Sequence, residues 1–343
     1  MEKFMKFLKD WMLVIGMVSG ASLYLIYHFI PALHPAGPVL LGFCQNIQPV
    51  LLFMMLFLTF CRIEPHDLKP HRWQGWLLLI QGGSFVALAL LLMLFPALPA
   101  KVGVESLMLC MICPTATACS VVTDKLGGSI AGVLTYTILI NLLTAILVPL
   151  FVPLLHPVEG MDFITAFCRI LAKVFPLLIM PAVAAWLVRY LLPGFHRWVI
   201  RFKNLSFYIW AFALLLAILM STRAIFQNDG SVWVLLEMAV ASLLSCVVQF
   251  ASGKAVGAHY DRAATRRAEE MSVRTSVPAK NVYATSCNRE ITAGQSLGQK
   301  NTVFGIWMGY TFLDPVTSLA GGFYSIWHNL YNTWQLRRMA AGK

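Results

Sequence analysis

The sequence contains few charged residues and especially few acidic ones. Of its 343 residues only 12% are charged, and Asp plus Glu number 15 against 26 for Lys plus Arg. Hydrophobic residues make up 59% of the chain and the mean hydropathy is +0.72. This composition excludes an ordinary soluble domain. The net charge of +11 does not indicate nucleic-acid binding, because the basic residues lie in short loops between apolar segments rather than on one folded face.

The sequence also lacks the motifs of common hydrolases. It contains no H-E-x-x-H and no G-x-S-x-G, and its apolar segments contain no close pair of carboxylates. An intramembrane enzyme is therefore disfavoured, and we expect no catalytic residue, no metal and no resident cofactor. The eight cysteines are scattered and lie mostly within apolar segments, so we expect free, buried thiols.

Ten apolar segments are long enough to cross a bilayer as helices. The first is much longer than a signal-peptide core and has no cleavage pattern, so we interpret it as a retained span. The sequence therefore predicts an all-α integral membrane protein with ten transmembrane helices. The predicted spans are 11–33, 37–61, 73–98, 103–125, 127–153, 163–192, 203–226, 231–258, 287–312 and 315–336.

The basic residues indicate the orientation of these spans. Placing both termini in the cytoplasm puts nearly all of the 26 Lys and Arg residues on the cytoplasmic side, whereas the outer loops receive only Lys101 and Arg223. Arg169, Lys173 and Lys300 lie within spans. Because positively charged loops favour the cytoplasmic side, we expect a plasma (inner) membrane protein with both termini cytoplasmic.

Ten spans divide into two sets of five, and an odd number per set makes the sets opposite in orientation. We therefore predict two inverted five-helix repeats at 11–153 and 163–336. The fourth span of each set is interrupted about halfway, by Pro114 in span 4 and by Gly298 in span 9. Either residue alone would be typical of a packing kink. Two interruptions at matching positions of inverted repeats indicate a transport site.

The middle of span 9 is the polar stretch Gly298–Thr302. Lys300 lies about 15 Å of helical rise from either end of this span, near the centre of a hydrocarbon layer about 30 Å thick. A lysine there costs about 3 kcal/mol or more unless it faces water or a protein partner. We therefore expect spans 4 and 9 to cross at their breaks near the membrane midplane.

Two motifs at these breaks resemble those of the bile acid:sodium symporter family. Residues 113–121 read C-P-T-A-T-A-C-S-V, where that family has approximately C-P-G-G-T-A-S-N-V. Residues 296–303 read S-L-G-Q-K-N-T-V, where the family has approximately E-V-G-M-Q-N-S-G. The resemblance implies a core domain of spans 3–5 and 8–10 and a panel domain of spans 1, 2, 6 and 7. It also implies a small or amphipathic organic anion as the solute, moved by alternating access.

The chain departs from that family where the resemblance would place sodium ligands. The family's Ser-Asn pair corresponds to Cys119-Ser120, and its glutamate corresponds to Ser296. Its glutamine at the second break corresponds to Lys300, whereas the glutamine of span 3 is retained as Gln81. The hydroxyl positions one span later correspond to Val133 and Thr137. We therefore expect that the chain does not use two sodium ions.

The candidate solute- or ion-binding residues belong to the two breaks or face them in the predicted arrangement. Thr137 and Asn141 share one helix face, and either line the path or hydrogen-bond neighbouring helices. Glu237 and His328 are candidate proton sites, with snorkelling and structural hydrogen bonding as the respective alternatives. The full set of binding candidates is Gln81, Pro114, Thr115, Thr117, Cys119, Ser120, Thr137, Asn141, Ser296, Gly298, Gln299, Lys300, Asn301 and Thr302.

Two further functions remain open at this stage. One is a sodium-independent carrier of the auxin-efflux type, and the other is a solute sensor or receptor that does not transport. The solute and the oligomeric state are also open. The polar, basic segment 259–287 is predicted to be a cytoplasmic loop. Its part Asp261–Met271 forms either a short surface helix on anionic lipid or a solvated linker.

Overall fold

The computed structural model describes residues 2–202, 205–227, 231–275 and 288–341. Over these ranges the regular secondary structure is helical, with one isolated β-bridge. Three short 3₁₀ turns connect some of the helices. In the first half of the chain the α-helices are α1 (Glu2–Phe29), α2 (Gly37–Phe60), α3 (Arg72–Leu94), α4 (Lys101–Ile112), α5 (Cys119–Lys125) and α6 (Ile130–Leu155). In the second half they are α7 (Phe163–Leu178), α8 (Met180–Leu191), α9 (Pro193–Ile200), α10 (Leu205–Gln227), α11 (Val232–Thr275), α12 (Arg289–Gly298), α13 (Thr302–Phe312) and α14 (Ser318–Ala341).

Several helices begin where the sequence supplies a cap. The Ser129 side chain accepts from the Gly132 backbone N–H at the start of α6, 3.0 Å away. Asp162 does the same for Thr165 at the start of α7, also at 3.0 Å. These contacts satisfy backbone donors that a helix leaves unpaired in its first turn.

By length and composition, five helical segments of the described chain are apolar enough to cross a membrane, or six if α7 and α8 count as one span bent by 42°. Large apolar side chains on such segments are widely exposed; Leu94, for example, is 73% exposed. The protein is therefore an all-helical membrane protein. The five or six segments are fewer than the ten predicted spans, partly because spans 4 and 9 are divided into short half-helices. The ten-span count and the inverted repeats stay predictions.

The helices pack in two main groups. In one group, α1 packs on α10, which packs on α2, and α2 packs on α8. In the other, α11 packs on α12, α14, α4 and α3, and α3 packs on α6. Contacts between α6 and α7 and between α10 and α13 join the groups. The first group consists of helices expected in the panel and the second of helices expected in the core, and the division into two domains stays a prediction.

The described part of the segment predicted as the loop 259–287 is helical. Helix α11 runs without interruption to Thr275, so residues 259–275 continue it beyond the predicted end of span 8. The solvated-linker interpretation is therefore wrong for these residues, and the helix is longer than the Asp261–Met271 alternative. Helix propensity explains the difference, because Ala, Arg, Glu and Met fill this stretch. Residues 276–287 lie outside the described part of the chain.

Candidate functional site

Both predicted breaks are present. Predicted span 4 is interrupted between Ile112 and Cys119, where α4 ends and α5 begins, and Pro114 lies inside the gap. Predicted span 9 is interrupted between Gly298 and Thr302, where α12 ends and α13 begins. A proline lacks the N–H that would continue the helix and clashes with the preceding turn, which explains the first interruption.

The two breaks meet and pair with each other through their backbones. Thr115 and Lys300 form an isolated antiparallel bridge. The Ala116 N–H donates to the Gln299 carbonyl over 3.0 Å, and the Asn301 N–H donates to the Pro114 carbonyl over 2.8 Å. The predicted meeting of the breaks is confirmed, and we call this meeting point the crossing. Each break therefore supplies backbone hydrogen-bond partners to the other, and these replace some of the bonds that a continuous helix would make.

Side chains from neighbouring helices hold the first break in place. Gln81 on α3 donates through Nε2 to the Cys113 carbonyl over 2.8 Å, and its Oε1 accepts from the Tyr136 hydroxyl over 2.8 Å. Thr144 on α6 donates to the Ile112 carbonyl over 3.1 Å. Gln81 therefore lies at the crossing, as predicted, but both ends of its amide are already engaged within the protein.

The second break is held in a similar way. The Tyr324 hydroxyl on α14 donates to the Gly298 carbonyl over 2.9 Å. Thr115 donates through Oγ1 to the Ser296 carbonyl over 2.9 Å, which links the side chain of one break to the backbone of the other. A Cβ atom at Gly298 would collide with the ring of Phe250, so only glycine fits this position without a shift.

Lys300 lies at the centre of the crossing with its side-chain nitrogen unpartnered. Its side chain is 1% exposed, and Nζ has no hydrogen-bond partner among the described residues. It lies within electrostatic range of the thiols of Cys110, Cys113, Cys119 and Cys246. The carbonyls freed at the two breaks accept from backbone N–H groups and from other side chains.

The cysteines are free thiols in the described part of the chain, and six are buried, as expected. Cys168 is exposed, contrary to the expectation, and Cys287 lies outside the described residues. Cys110 and Cys113 have C-x-x-C spacing at the end of α4, a pattern that the sequence reasoning missed. Within the described ranges, no three His, Cys, Asp or Glu side chains are grouped closely enough to hold a metal ion.

Other predicted residues have mainly structural contacts at the crossing. Asn301 accepts through Oδ1 from the Phe304 N–H over 3.2 Å and so caps α13. Cys119 donates through Sγ to the Gln295 carbonyl over 3.2 Å. Thr302 is the buried first residue of α13, whereas Thr117 and Ser120 are half-buried on the side of the first break. The crossing therefore brings together most of the predicted set.

A chain of three glutamines leads away from the crossing. Gln299, next to Lys300, donates through Nε2 to the Gln295 Oε1, and Gln295 donates in turn to the Gln335 Oε1 over 2.6 Å. The first of these residues was predicted, but the other two were not. Gln295 lies four residues before Gln299, a spacing that places two side chains on one face of a helix and could have indicated it. No local sequence feature indicates Gln335 on α14.

The two polar residues of α6 are engaged with backbone. Thr137 donates to the Val133 carbonyl of its own helix over 2.9 Å. Asn141 donates to the Leu178 carbonyl at the end of α7 over 3.2 Å, so it joins α6 to α7. A hydrogen bond to a neighbouring helix therefore describes Asn141, whereas Thr137 bonds its own helix and its part in a path stays a prediction.

The two candidate proton sites differ in position. Glu237 accepts from the Gly103 N–H over 3.0 Å and thereby caps the start of α4, away from the crossing. His328 is buried, with Nδ1 unpartnered among the described residues, and its ring lies edge-on to Tyr324 at 5.6 Å. His328 therefore borders the crossing through Tyr324, whereas Glu237 stabilises a helix end.

Sequence reasoning also missed a buried carboxylate. Glu105 on α4 is 1% exposed, and its Oε1 lies 2.9 Å from Nε2 of His156, which follows α6. The glutamate lies near the start of a predicted span, and its partner is distant in sequence. Only the presence of an acidic residue in an apolar stretch could have indicated it.

Comparison with known proteins identified no related family or curated protein. No protein-family model matches the chain, and no curated protein matches it. The likeness to the bile acid:sodium symporter family therefore depends on the two motifs at the breaks and on the predicted order of the spans.

Proposed function

We propose that this protein is a secondary transporter that moves a small or amphipathic organic anion by alternating access. In this proposal α4–α5 and α12–α13 are the two interrupted spans of ten, arranged in inverted repeats with both termini in the cytoplasm. The crossing lies near the membrane midplane. A solute reaches it from either side as the group containing α3, α4, α6, α11, α12 and α14 moves against the group containing α1, α2, α8 and α10.

The observation that carries the proposal is the buried, unpartnered ammonium of Lys300 between two paired helix breaks. An isolated charge in a protein interior is costly, so its retention indicates a use. The N-terminus of α13 begins two residues later and contributes a partial positive charge. A carboxylate or sulfonate would be stabilised by both. The unpartnered Ser296 hydroxyl adds a further donor on the other side of the break.

The same geometry favours transport without sodium. Both ends of the Gln81 amide are used within the protein. Cys119 presents a thiol where a hard oxygen ligand would be needed. Lys300 adds a charge that repels a cation: two unit charges 4 Å apart repel by about 4 kcal/mol at an effective dielectric constant of 20. That repulsion corresponds to a loss of nearly three orders of magnitude in sodium affinity.

The experiment is uptake into proteoliposomes that contain the full-length protein, with labelled taurocholate and a panel of short carboxylates as probes. The proposal expects saturable uptake of at least one of these anions and loss of that uptake in Lys300→Met. The matched control is Lys173→Met, since Lys173 is exposed on α7. If no organic anion is bound or moved, the proposal fails.

A sensor or receptor on the same scaffold is the second candidate. The feature that favours it is the number of crossing residues already paired with one another, which would resist a moving site. Binding of an anion without flux, measured in the same proteoliposomes, would establish this alternative.

A further inference from the structure

An open cavity lies far along α12 from the crossing, where α12 begins and α5 and α14 end. Its volume is about 370 Å³. It is separate from Lys300, which lies at the other end of α12. We call it the end cavity, and the residues of its wall that matter here are Leu126, Lys254, Asn288, Glu290, Gln335 and Arg338.

The two amides in the wall use their oxygen atoms inside the protein. Asn288 accepts through Oδ1 from the Ile291 N–H over 3.1 Å and so caps α12. Gln335 accepts through Oε1 from Gln295 over 2.6 Å. A side-chain amide has one oxygen acceptor and two N–H donors on nitrogen. With the oxygens engaged, each amide offers its NH₂ group as a donor.

The two cations in the wall are held by aromatic rings instead of carboxylates. Nζ of Lys254 lies 5.4 Å from the ring centroid of Tyr331, and the guanidinium carbon of Arg338 lies 5.5 Å from that of Trp334. Among the described residues, neither cation has a carboxylate within 4 Å. A cation–π contact positions a charge without neutralising it. Both charges therefore remain available to an added anion.

Glu290 is the one acidic residue in the described wall, and it is exposed. The described wall thus contains two cations and two amide NH₂ groups that can bind an anion, and a single carboxylate that would repel one. The rest of the wall is apolar and includes Leu126 and the half-exposed Trp334. Donor groups beside an apolar surface suit a ligand that combines an anionic group with a hydrocarbon part.

We propose that the end cavity binds an anion that carries a phosphate or carboxylate next to an apolar group. This chemistry belongs both to the headgroup of an anionic phospholipid and to a free organic phosphate. The proposal does not depend on transport. The glutamine chain nevertheless connects the Gln335 amide at this wall to Gln299 beside Lys300, so the end cavity and the crossing share one hydrogen-bonded path.

The test uses the full-length protein in phosphatidylcholine nanodiscs, with glycerol 3-phosphate titrated by calorimetry. A second arm measures retention of phosphatidylglycerol by native mass spectrometry. We expect binding in at least one arm. Arg338→Gln and Lys254→Gln should each weaken it about fivefold to tenfold, because each removes a charge-assisted contact. Arg337→Gln is the matched control and should change it less than about twofold, because Arg337 is a neighbouring exposed arginine outside the cavity wall.

Glu290→Gln supplies a test that misfolding cannot imitate. Removing the opposing carboxylate should tighten binding of the same probe about twofold to fivefold. Binding of glycerol 3-phosphate would identify a soluble ligand, and retention of phosphatidylglycerol alone would identify a lipid headgroup. Absence of both, or equal weakening by the Arg337, Arg338 and Lys254 variants, would overturn the proposal.

Discussion

Replacing Lys300 by methionine should stabilise the protein and weaken anion binding at the crossing. The lysine is 1% exposed, and its ammonium has no hydrogen-bond partner among the described residues. Methionine has a similar length and volume and carries no charge, so it can occupy the same space. The substitution therefore removes the cost of burying the charge with little loss of packing.

The magnitude follows from the unsatisfied group. A buried donor without a partner costs about 1–3 kcal/mol, and more when charged. We expect the free energy of unfolding to rise by about that amount. The midpoint of thermal unfolding should then increase by about 2–6 °C, taking about 2 °C per kcal/mol for a chain of this size. The loss of a charge-assisted hydrogen bond should weaken anion binding about tenfold to 150-fold.

The assay is thermal unfolding in detergent, followed by the fluorescence of the ten tryptophans, with taurocholate binding measured on the same sample. Lys173→Met is the control and should shift the midpoint by about 2 °C or less, because Lys173 is exposed and loses only its contact with the Phe312 ring, 5.7 Å from Nζ. A lower midpoint in Lys300→Met would show that the ammonium stabilises the crossing. Unchanged anion binding would show that it does not contact the solute. Either result refutes the reasoning.

Four further predictions concern the crossing, the α4 cap and the role of sodium. Gly298→Ala should lower the free energy of unfolding by about 1–3 kcal/mol in chemical denaturation because its Cβ meets an aromatic ring, whereas Gly83→Ala, with open space around it, should not. Glu237→Ala should lower it by about 1 kcal/mol through loss of the α4 cap, and Glu237→Gln should recover most of that. Uptake should be the same when sodium is exchanged for potassium or choline at constant ionic strength; a sodium requirement in the native protein would contradict our argument from Lys300. The paired change Ser296→Glu with Lys300→Gln should introduce such a requirement, as shown by uptake in the two media.

The positions of the breaks could be predicted because their causes are local. Pro114 ends a helix by its own covalent structure, and Gly298 precedes a run of polar residues that lipid would not accept. The meeting of the breaks followed from their matching order in two sets of spans. Hydrophobic length alone similarly indicated the membrane-spanning helices.

The contacts that decide the role of each side chain could not be predicted in this way. The contact of Glu237 with the Gly103 N–H gives it a capping role that its sequence position does not indicate. The pairing of Glu105 with His156 and the role of Gln335 depend on helices that are distant in sequence. The extension of α11 through residues 259–275 was obscured by their polarity, which suits a solvated helix as well as a loop.

The pairing of the two breaks has a consequence for how the protein is made. The Thr115 hydroxyl and the Ser296 carbonyl that it contacts are separated by 181 residues. At about 5–20 residues per second, the ribosome needs about 10–35 s to synthesise the interval between them. During that time the α4–α5 break has been translated but the backbone that satisfies it has not. In the proposed placement of the crossing within the membrane, lipid would not tolerate unpaired peptide groups, so the first break would stay hydrated or beside the insertion machinery until α12 and α13 emerge.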